Sequence, residues 1–240
     1  MIASFKYNFI FVRTKKTAST AVELGLSTIC GPEDIISPIG GQELLRVQSG
    51  VLPRNFNKDP NVEQELVTAI KSNDKKALRR ASMRNRESHG CTGHMRVSKV
   101  KSWVPEEFWK SAYKFTTERH PYEKALSLAH FRYKGEDFVK RVSFEEFLNR
   151  IIKEEYRVYR GFSVYSIDGT SVMDSFLLQD TLATDIAKLR KTLNLPDFEL
   201  PRARSQRTDR RPAREVLTDE QKEFIYRRCK SEFDLFGWEK

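Results

Sequence analysis

Cysteine is scarce in this chain: three residues in 240, at positions 30, 91 and 229. They are too few and too scattered for a disulfide framework, and their spacing excludes a CxxC metal site. A reducing compartment, the cytoplasm, is the expectation. Long hydrophobic runs are also missing, and no stretch approaches the ~20 apolar residues of a membrane-spanning helix. The opening residues pass from a short apolar run straight into lysines, without the small-residue cleavage site of a secretory leader. No Gly/Ser linker and no internal repeat divides the sequence, so residues 1–240 read as a single domain. The nucleotide-binding pattern GxxxxGKS/T is absent, which excludes an ordinary Mg-NTP loop. Negative charge is in the minority. Against 43 Lys and Arg stand 33 Asp and Glu, a formal net charge of +10. The expected partners are therefore anionic: a phosphorylated small molecule, an acidic glycan, nucleic acid or an anionic membrane.

What is present is concentrated in "FIFVRTKKTASTAVELGL", Phe9 to Leu26. Phe9, Ile10, Phe11 and Val12 form a short β-branched and aromatic run, a strand signal. From Ala18 onward, Ala18, Ala21, Val22, Gly25 and Ile29 recur at helical spacing. Between the two sit Lys15, Lys16 and Thr17, followed by Ser19 and Thr20. A helix N-terminus carries unpaired N–H groups and partial positive charge, so lysines there disfavour the helix itself. They make sense where an anion sits on the turn. The plain alternative is a threonine N-cap beside solvated lysines.

The remainder alternates strands and helices. "GPEDIISPIGG" reads as turn, short strand, turn. Residues 61–83 are helix-prone and basic on one side. "SAYKFTTERHP" reads as a second buried strand. "PYEKALSLAHFRY" is a helix with Pro121 in its first turn and Tyr122, Ala125, Leu126, Ala129 and Tyr133 on one face. "SFEEFLNRIIKEEY" and "TDEQKEFIYRRCKSEF" are helices with Ser143/Glu146 and Thr218/Gln221 capping boxes. "SVMDSFLL" is strand-like, and a helix follows in "TLATDIAKLRKTLN". This order argues an α/β domain with a central, largely parallel sheet flanked by helices. Ligands bind such sheets where strands end and helices begin. Lys15/Lys16 and Glu118/Arg119 both occupy such junctions. In "ERHPYEKALS", Arg119 is placed to fork onto a phosphate, with Ser127 on the following helix. The alternative is a structural arginine bonding loop carbonyls.

Strand–"KTAST"–helix followed by strand–"RHPYEKALS"–helix resembles the PAPS-dependent sulfotransferases, nearest to their carbohydrate and bacterial branch. That family carries a pattern like "PKTAGT" for the 5′-phosphosulfate and one like "RxPxxRxxS" for the 3′-phosphate. Lys16 to Thr20 match the first, and Arg119, Pro121 and Ser127 match the second. The late "DGTSVMDSFLLQDTLATDIAKL" and the terminal "DEQKEFIYRRCKSEFDLFGW" also look like the family's closing elements. The chain departs from the pattern at Lys15 for proline, Ser19 for glycine and Lys124 for arginine. Leu178-Gln179-Asp180 stands in place of a later RxE.

The resemblance implies a P-loop-like three-layer fold and metal-free sulfuryl transfer from PAPS, leaving PAP. The acceptor would be a hydroxyl of a carbohydrate or glycan-containing metabolite, neutral or anionic. It implies that Lys16 stabilises the departing oxygen. Lys15, Thr17, Ala18, Ser19 and Thr20 would cradle the 5′-phosphate, and Arg119 and Ser127 would hold the 3′-phosphate. An acceptor base needs a pKa near neutrality. His94 stands where relatives carry a loop histidine; His89 or a carboxylate such as Glu23 is the alternative. His120 lies inside the second motif and His130 on the helix after it. The segment 201–214 carries six arginines. Arg202 and Arg207 are its candidates for the nucleotide, in a region that relatives close over it. Residues 134–170, rich in Tyr, Arg and Lys, are expected to shape the acceptor pocket. A basic nucleic-acid-binding protein or an NTP-binding α/β protein is the competing reading. It is weakened by the absence of a binding module, of stacking aromatics and of the Walker pattern.

Overall fold

The computed structural model describes residues 1–40, 42–133, 142–201 and 211–240. Five strands form one mixed sheet: β1 (Ile2–Ser4), β2 (Phe9–Val12), β3 (Ile35–Ile36), β4 (Tyr113–Glu118) and β7 (Ser175–Leu178), in the order β3-β1-β2-β4-β7. β2, β4 and β7 are parallel, with Val12 beside Thr116 and Glu118 beside Leu178. On the other side of β2, β1 runs antiparallel to it, and β3 runs antiparallel to β1. A two-stranded hairpin, β5 (Ser166–Ile167) with β6 (Thr170–Ser171), stands apart.

The alternation along β2 decides the layers. Phe9 and Phe11 pack with Phe115 and Leu177 against Val22, Leu26 and Ile29 of α1 (Ser19–Ile29). Leu182–Leu193 (α11 below) covers the same face through Ile186 and Leu189. Ile10 and Val12 point to the opposite face, where Leu66, Ile70, Ala81, Val97, Val100 and Trp109 meet them. These come from α3 (Pro60–Ser72), α4 (Lys75–Glu87), α5 (Val97–Trp103) and α6 (Glu106–Ser111); α2 (Glu43–Gln48) precedes them. Each such side chain, fully buried, contributes about 1.5–3 kcal/mol. A third apolar cluster joins helices to helices: α7 (Pro121–Arg132), α8 (Phe144–Glu154), α9 (Tyr156–Tyr159), α12 (Ala213–Val216), α13 (Asp219–Arg228) and α14 (Lys230–Phe236). Two more helices, α10 (Phe162–Tyr165) and α11 (Leu182–Leu193), complete the described set. Gly25 lets residues 198–200 lie against α1: a Cβ there would sit 2.7 Å from Phe198 Cδ2 and 2.8 Å from the Glu199 carbonyl oxygen.

Several expectations are refined. The sheet is mixed, because the hairpin of β1 with β2 adds an antiparallel strand; three residues are too few to show an alternation. The basic helix expected over 61–83 is two helices. Asn73 takes a left-handed φ of 54° that ends α3, and the Asp74 carboxylate caps α4 by accepting from the Lys76 and Ala77 N–H groups. The strand expected from "SVMDSFLL" is confined to Ser175–Leu178. The terminal helix breaks at Cys229 into α13 and α14. Both predicted capping boxes form, at Ser143/Glu146 and Thr218/Gln221. Among the described residues no helix is long and apolar enough to cross a membrane.

Candidate functional site

β2, β4 and β7 are parallel, so their carboxyl ends share one edge of the sheet. The turn Arg13–Ala18 leaves the end of β2 there, and Arg119 leaves the end of β4. Threonines stitch the two together. Thr14 Oγ1 donates to the Thr117 carbonyl at 2.5 Å and lies 2.8 Å from Thr17 Oγ1, which in turn lies 2.7 Å from Thr117 Oγ1. Thr117 is two residues before Arg119, so the first motif is tied to the root of the second.

The turn itself is unusual. Lys16 (φ 64°) and Ala18 (φ 62°) both adopt the left-handed conformation, which costs a non-glycine residue roughly 1–2 kcal/mol. Strain of this kind is held only where surrounding contacts over-determine it, and it concentrates at ligand clamps. Here the buried Thr14, Thr17 and Ser19 do the holding; Ser19 Oγ donates to the Thr14 carbonyl at 2.6 Å. Helix α1 therefore begins with Ala18 as N-cap and no side-chain cap, so the simple threonine cap is not what forms. Among the described residues the backbone N–H groups of Thr17, Ala18, Ser19 and Thr20 find no acceptor. Free N–H groups at a helix N-terminus are the donors an anion would need.

The hydroxyls play a different part from the one the resemblance implies. Thr17 and Ser19 are buried and engaged inside the turn, and Thr20 Oγ1 accepts from Arg13 Nη2 at 2.9 Å. Only Thr20, whose own proton remains, is half-buried and placed to donate outward. Backbone N–H groups, rather than the hydroxyls, are the main donors of this turn.

Helix α7 runs past the β2 turn. Pro121 opens it directly after Arg119 and His120, and its last turn reaches the β2 turn: the Lys16 ammonium lies 4.1 Å from the centre of the Phe131 ring. Ser127 lies between these ends, half-buried, and its hydroxyl makes no hydrogen bond to another described residue. Arg119 is 17 % exposed and donates from Nη2 to Glu123 Oε2 at 2.9 Å. Glu123 Oε1 also accepts from the Ala213 N–H at 2.6 Å. The exposed Lys15 has its ammonium pKa lowered by desolvation and by Arg132, against the pull of Glu155. Phe131, Arg132 and Glu123 escaped the sequence reading. The one available signal was that a helix entered at Pro121 and about 18 Å long returns its last turn to the sheet edge.

Lys124, at the family's arginine position, does not face this edge. It is fully buried and pairs with Glu118 at 2.7 Å. Burial pushes the Glu118 carboxyl up against the pull of Lys124. Burial would lower the Lys124 ammonium, but Glu118 and Glu232 outweigh it and hold it above its ordinary value. Glu118 Oε1 also accepts the Arg119 N–H at 2.9 Å, so this pair fixes the turn that presents Arg119.

The histidines separate clearly. The His94 Nδ1 lies 3.3 Å from the Arg13 carbonyl oxygen, beside the β2 turn. Desolvation and then Arg13 push its pKa down to about 3, well below the near-neutral value expected of an acceptor base, although the side chain is exposed to solvent, which moderates that desolvation. His89 ends α4 in a left-handed conformation, and its carbonyl accepts from the Trp103 indole at 3.1 Å. His120 is a packing residue among Tyr122, Phe233 and Trp238. Burial lowers its pKa to about 4. His130 stacks near Phe144. Glu23 is a counter-ion: the Met1 ammonium (3.2 Å), Arg13 Nε (3.3 Å) and Arg46 Nη2 (2.9 Å) surround it. Burial alone would raise the Glu23 carboxyl, yet those cations hold it below its ordinary value. Fully buried among these cations, Glu23 is out of reach of an acceptor hydroxyl.

If His94 is the base, activity is lost only as pH falls through its lowered pKa. The expected kcat/KM profile is flat from pH 8 to 5, with its acid limb nearer 3. An acid limb near 6.5 would remove His94 from the role.

Arg202 and Arg207 lie outside the described residues, as do 134–141. The rest of the expected acceptor segment forms α8, α9, α10 and β5. Among the described residues no group of three or more His, Cys, Asp or Glu side chains is placed to hold a metal ion. No family model matches the chain, and no curated protein or solved structure matches it significantly.

Proposed function

We propose that this chain is a PAPS-dependent sulfotransferase with a P-loop-like nucleotide site, acting on a hydroxyl of a carbohydrate or glycan-containing metabolite. The observation that carries the reading is the turn at the end of β2. Lys16 and Ala18 are left-handed, four N–H groups have no acceptor among the described residues, and Thr17 is bonded to Thr117 at the root of Arg119. This supports one anion site at the β2 turn and a second at Arg119 after β4, with Ser127 on the helix that follows. PAPS carries two such anionic groups, at the 5′ and 3′ positions.

Sulfuryl transfer is an in-line displacement dominated by positioning and charge stabilisation. The acceptor oxygen forms the new bond to sulfur as the bond from sulfur to the 5′-phosphate oxygen breaks. The turn N–H groups bind that phosphate. The Lys16 ammonium leaves the Phe131 ring and neutralises the departing oxygen. Arg119 and Ser127 hold the 3′-phosphate and so distinguish PAP from ATP. The neutral His94 ring, a weak base, orients the acceptor hydroxyl and receives its proton as charge develops.

The test is a thermal-shift comparison of PAP, ATP with magnesium, and a DNA oligomer, each with and without EDTA. PAP is expected to stabilise the protein most, and equally in EDTA. Stabilisation by ATP and magnesium that vanishes in EDTA, or by DNA alone, would overturn the reading.

A further inference from the structure

Helix α4 carries Lys75, Lys76, Arg79, Arg80, Arg84 and Arg86 within thirteen residues, all exposed. Its first turn has no acidic residue, so Lys75 and Lys76 oppose the helix dipole. Lys75/Arg79, Lys76/Arg80 and Arg80/Arg84 are like-charge neighbours four apart, each destabilising. Of the six, only Arg84 has an ion pair among the described residues, with Glu65 of α3 at 2.8 Å. The helix thus holds an exposed positive strip that the Asp74 cap and Glu65 offset only in part. Beside it, between α3 and α4, runs a groove of about 470 Å³. Asn61, Gln64, Thr68 and Ser72, one exposed stripe of α3, line it together with Arg80.

We infer that this groove and strip bind a linear acidic polysaccharide. Amide and hydroxyl side chains match sugar hydroxyls, and the adjacent cations match carboxylate or sulfate groups on the same chain. Nucleic acid fits less well. α4 has no aromatic side chain for bases to stack on, and the Trp103 ring just beyond it is taken by Lys58 at 5.5 Å. Glu65 in the groove wall and Glu87 at the helix end narrow the strip against a broad phosphate surface. This surface is read from charge, exposure and shape alone and does not depend on the sulfuryl-transfer reading.

The experiment is titration of an oligogalacturonate at low and high salt, with neutral dextran, polyglutamate and single-stranded DNA as comparisons. The oligogalacturonate is expected to bind at low salt and dextran not to bind. The triple variant Lys76→Gln/Arg79→Gln/Arg80→Gln is expected to bind it about tenfold more weakly, several exposed charge contacts each contributing a few-fold. The same variant should melt no lower than the parent, because like-charge repulsion is removed. Gln64→Leu/Thr68→Val should weaken the oligogalacturonate and leave polyglutamate unaffected. Absence of binding, unchanged affinity in the triple variant, or DNA binding more tightly and insensitive to Gln64 and Thr68 would overturn the inference. PAP stabilisation, measured in parallel, reports separately on the strand-end site.

Discussion

Replacing Lys16 with alanine is expected to lower kcat about 10²–10³-fold, the usual loss for one transition-state donor. The change in PAPS affinity should be smaller. An ammonium that acts on a departing oxygen does most where charge is greatest, in the transition state. Lys16→Arg should not rescue the loss, since a planar fork does not replace a compact ammonium in a tight turn. The left-handed φ of 64° at Lys16 adds an internal control. Lys16→Gly should be at least as stable as the parent, by up to about 1–2 kcal/mol, and equally impaired in turnover. Stability and chemistry would then move in opposite directions at one residue. Lys15 is exposed, and Lys15→Ala should cost less than about tenfold, as for a screened charge near an anion. Initial rates against PAPS concentration decide. A dead Lys15→Ala beside an active Lys16→Ala would shift the loop assignment by one residue.

Lys124→Met is expected to destabilise the protein by about 3–5 kcal/mol, because it strands the buried Glu118 carboxylate without its cation. The environment leaves no easy relief. A Cβ at Gly161 would lie 2.3 Å from Glu118 Oε2, so the glycine provides the room that the carboxylate occupies. Glu232 is also buried and already accepts the Gly161 and Phe162 N–H groups at 2.7 and 2.9 Å. Adding Glu118→Gln should recover much of the loss, the coupling expected of residues in contact. Denaturant unfolding of the single and double variants measures this. A single variant within 1 kcal/mol of the parent would show that Glu118 finds another partner or a proton.

The strand ends were legible because β2 is short, apolar and bounded by charge, because the β4 run is rich in aromatic and β-branched residues and ends in charge, and because Pro121 marks a helix start. The capping boxes were legible for the same local reason. The roles of Glu23 and Lys124 were not. A carboxylate four residues into a helix reads alike whether it meets solvent or three cations. The partners of Glu23 come from positions 1, 13 and 46, contacts that only the sheet topology creates. The inward turn of Thr17 and Ser19 was hidden for a related reason. A hydroxyl-rich loop suggests donors to a ligand, but the left-handed Lys16 and Ala18 rotate those side chains into the protein and leave the backbone outward.

Calorimetric titration of PAP and of adenosine 5′-phosphate into the parent and Arg119→Ala tests the two-anchor site most directly. The account predicts that Arg119→Ala weakens PAP by about 2–4 kcal/mol, the loss of a charge-assisted pair in a partly desolvated site. Adenosine 5′-phosphate should be affected far less, since it reaches only the β2 turn. Equal losses for both ligands, or no binding of PAP to the parent, would contradict it.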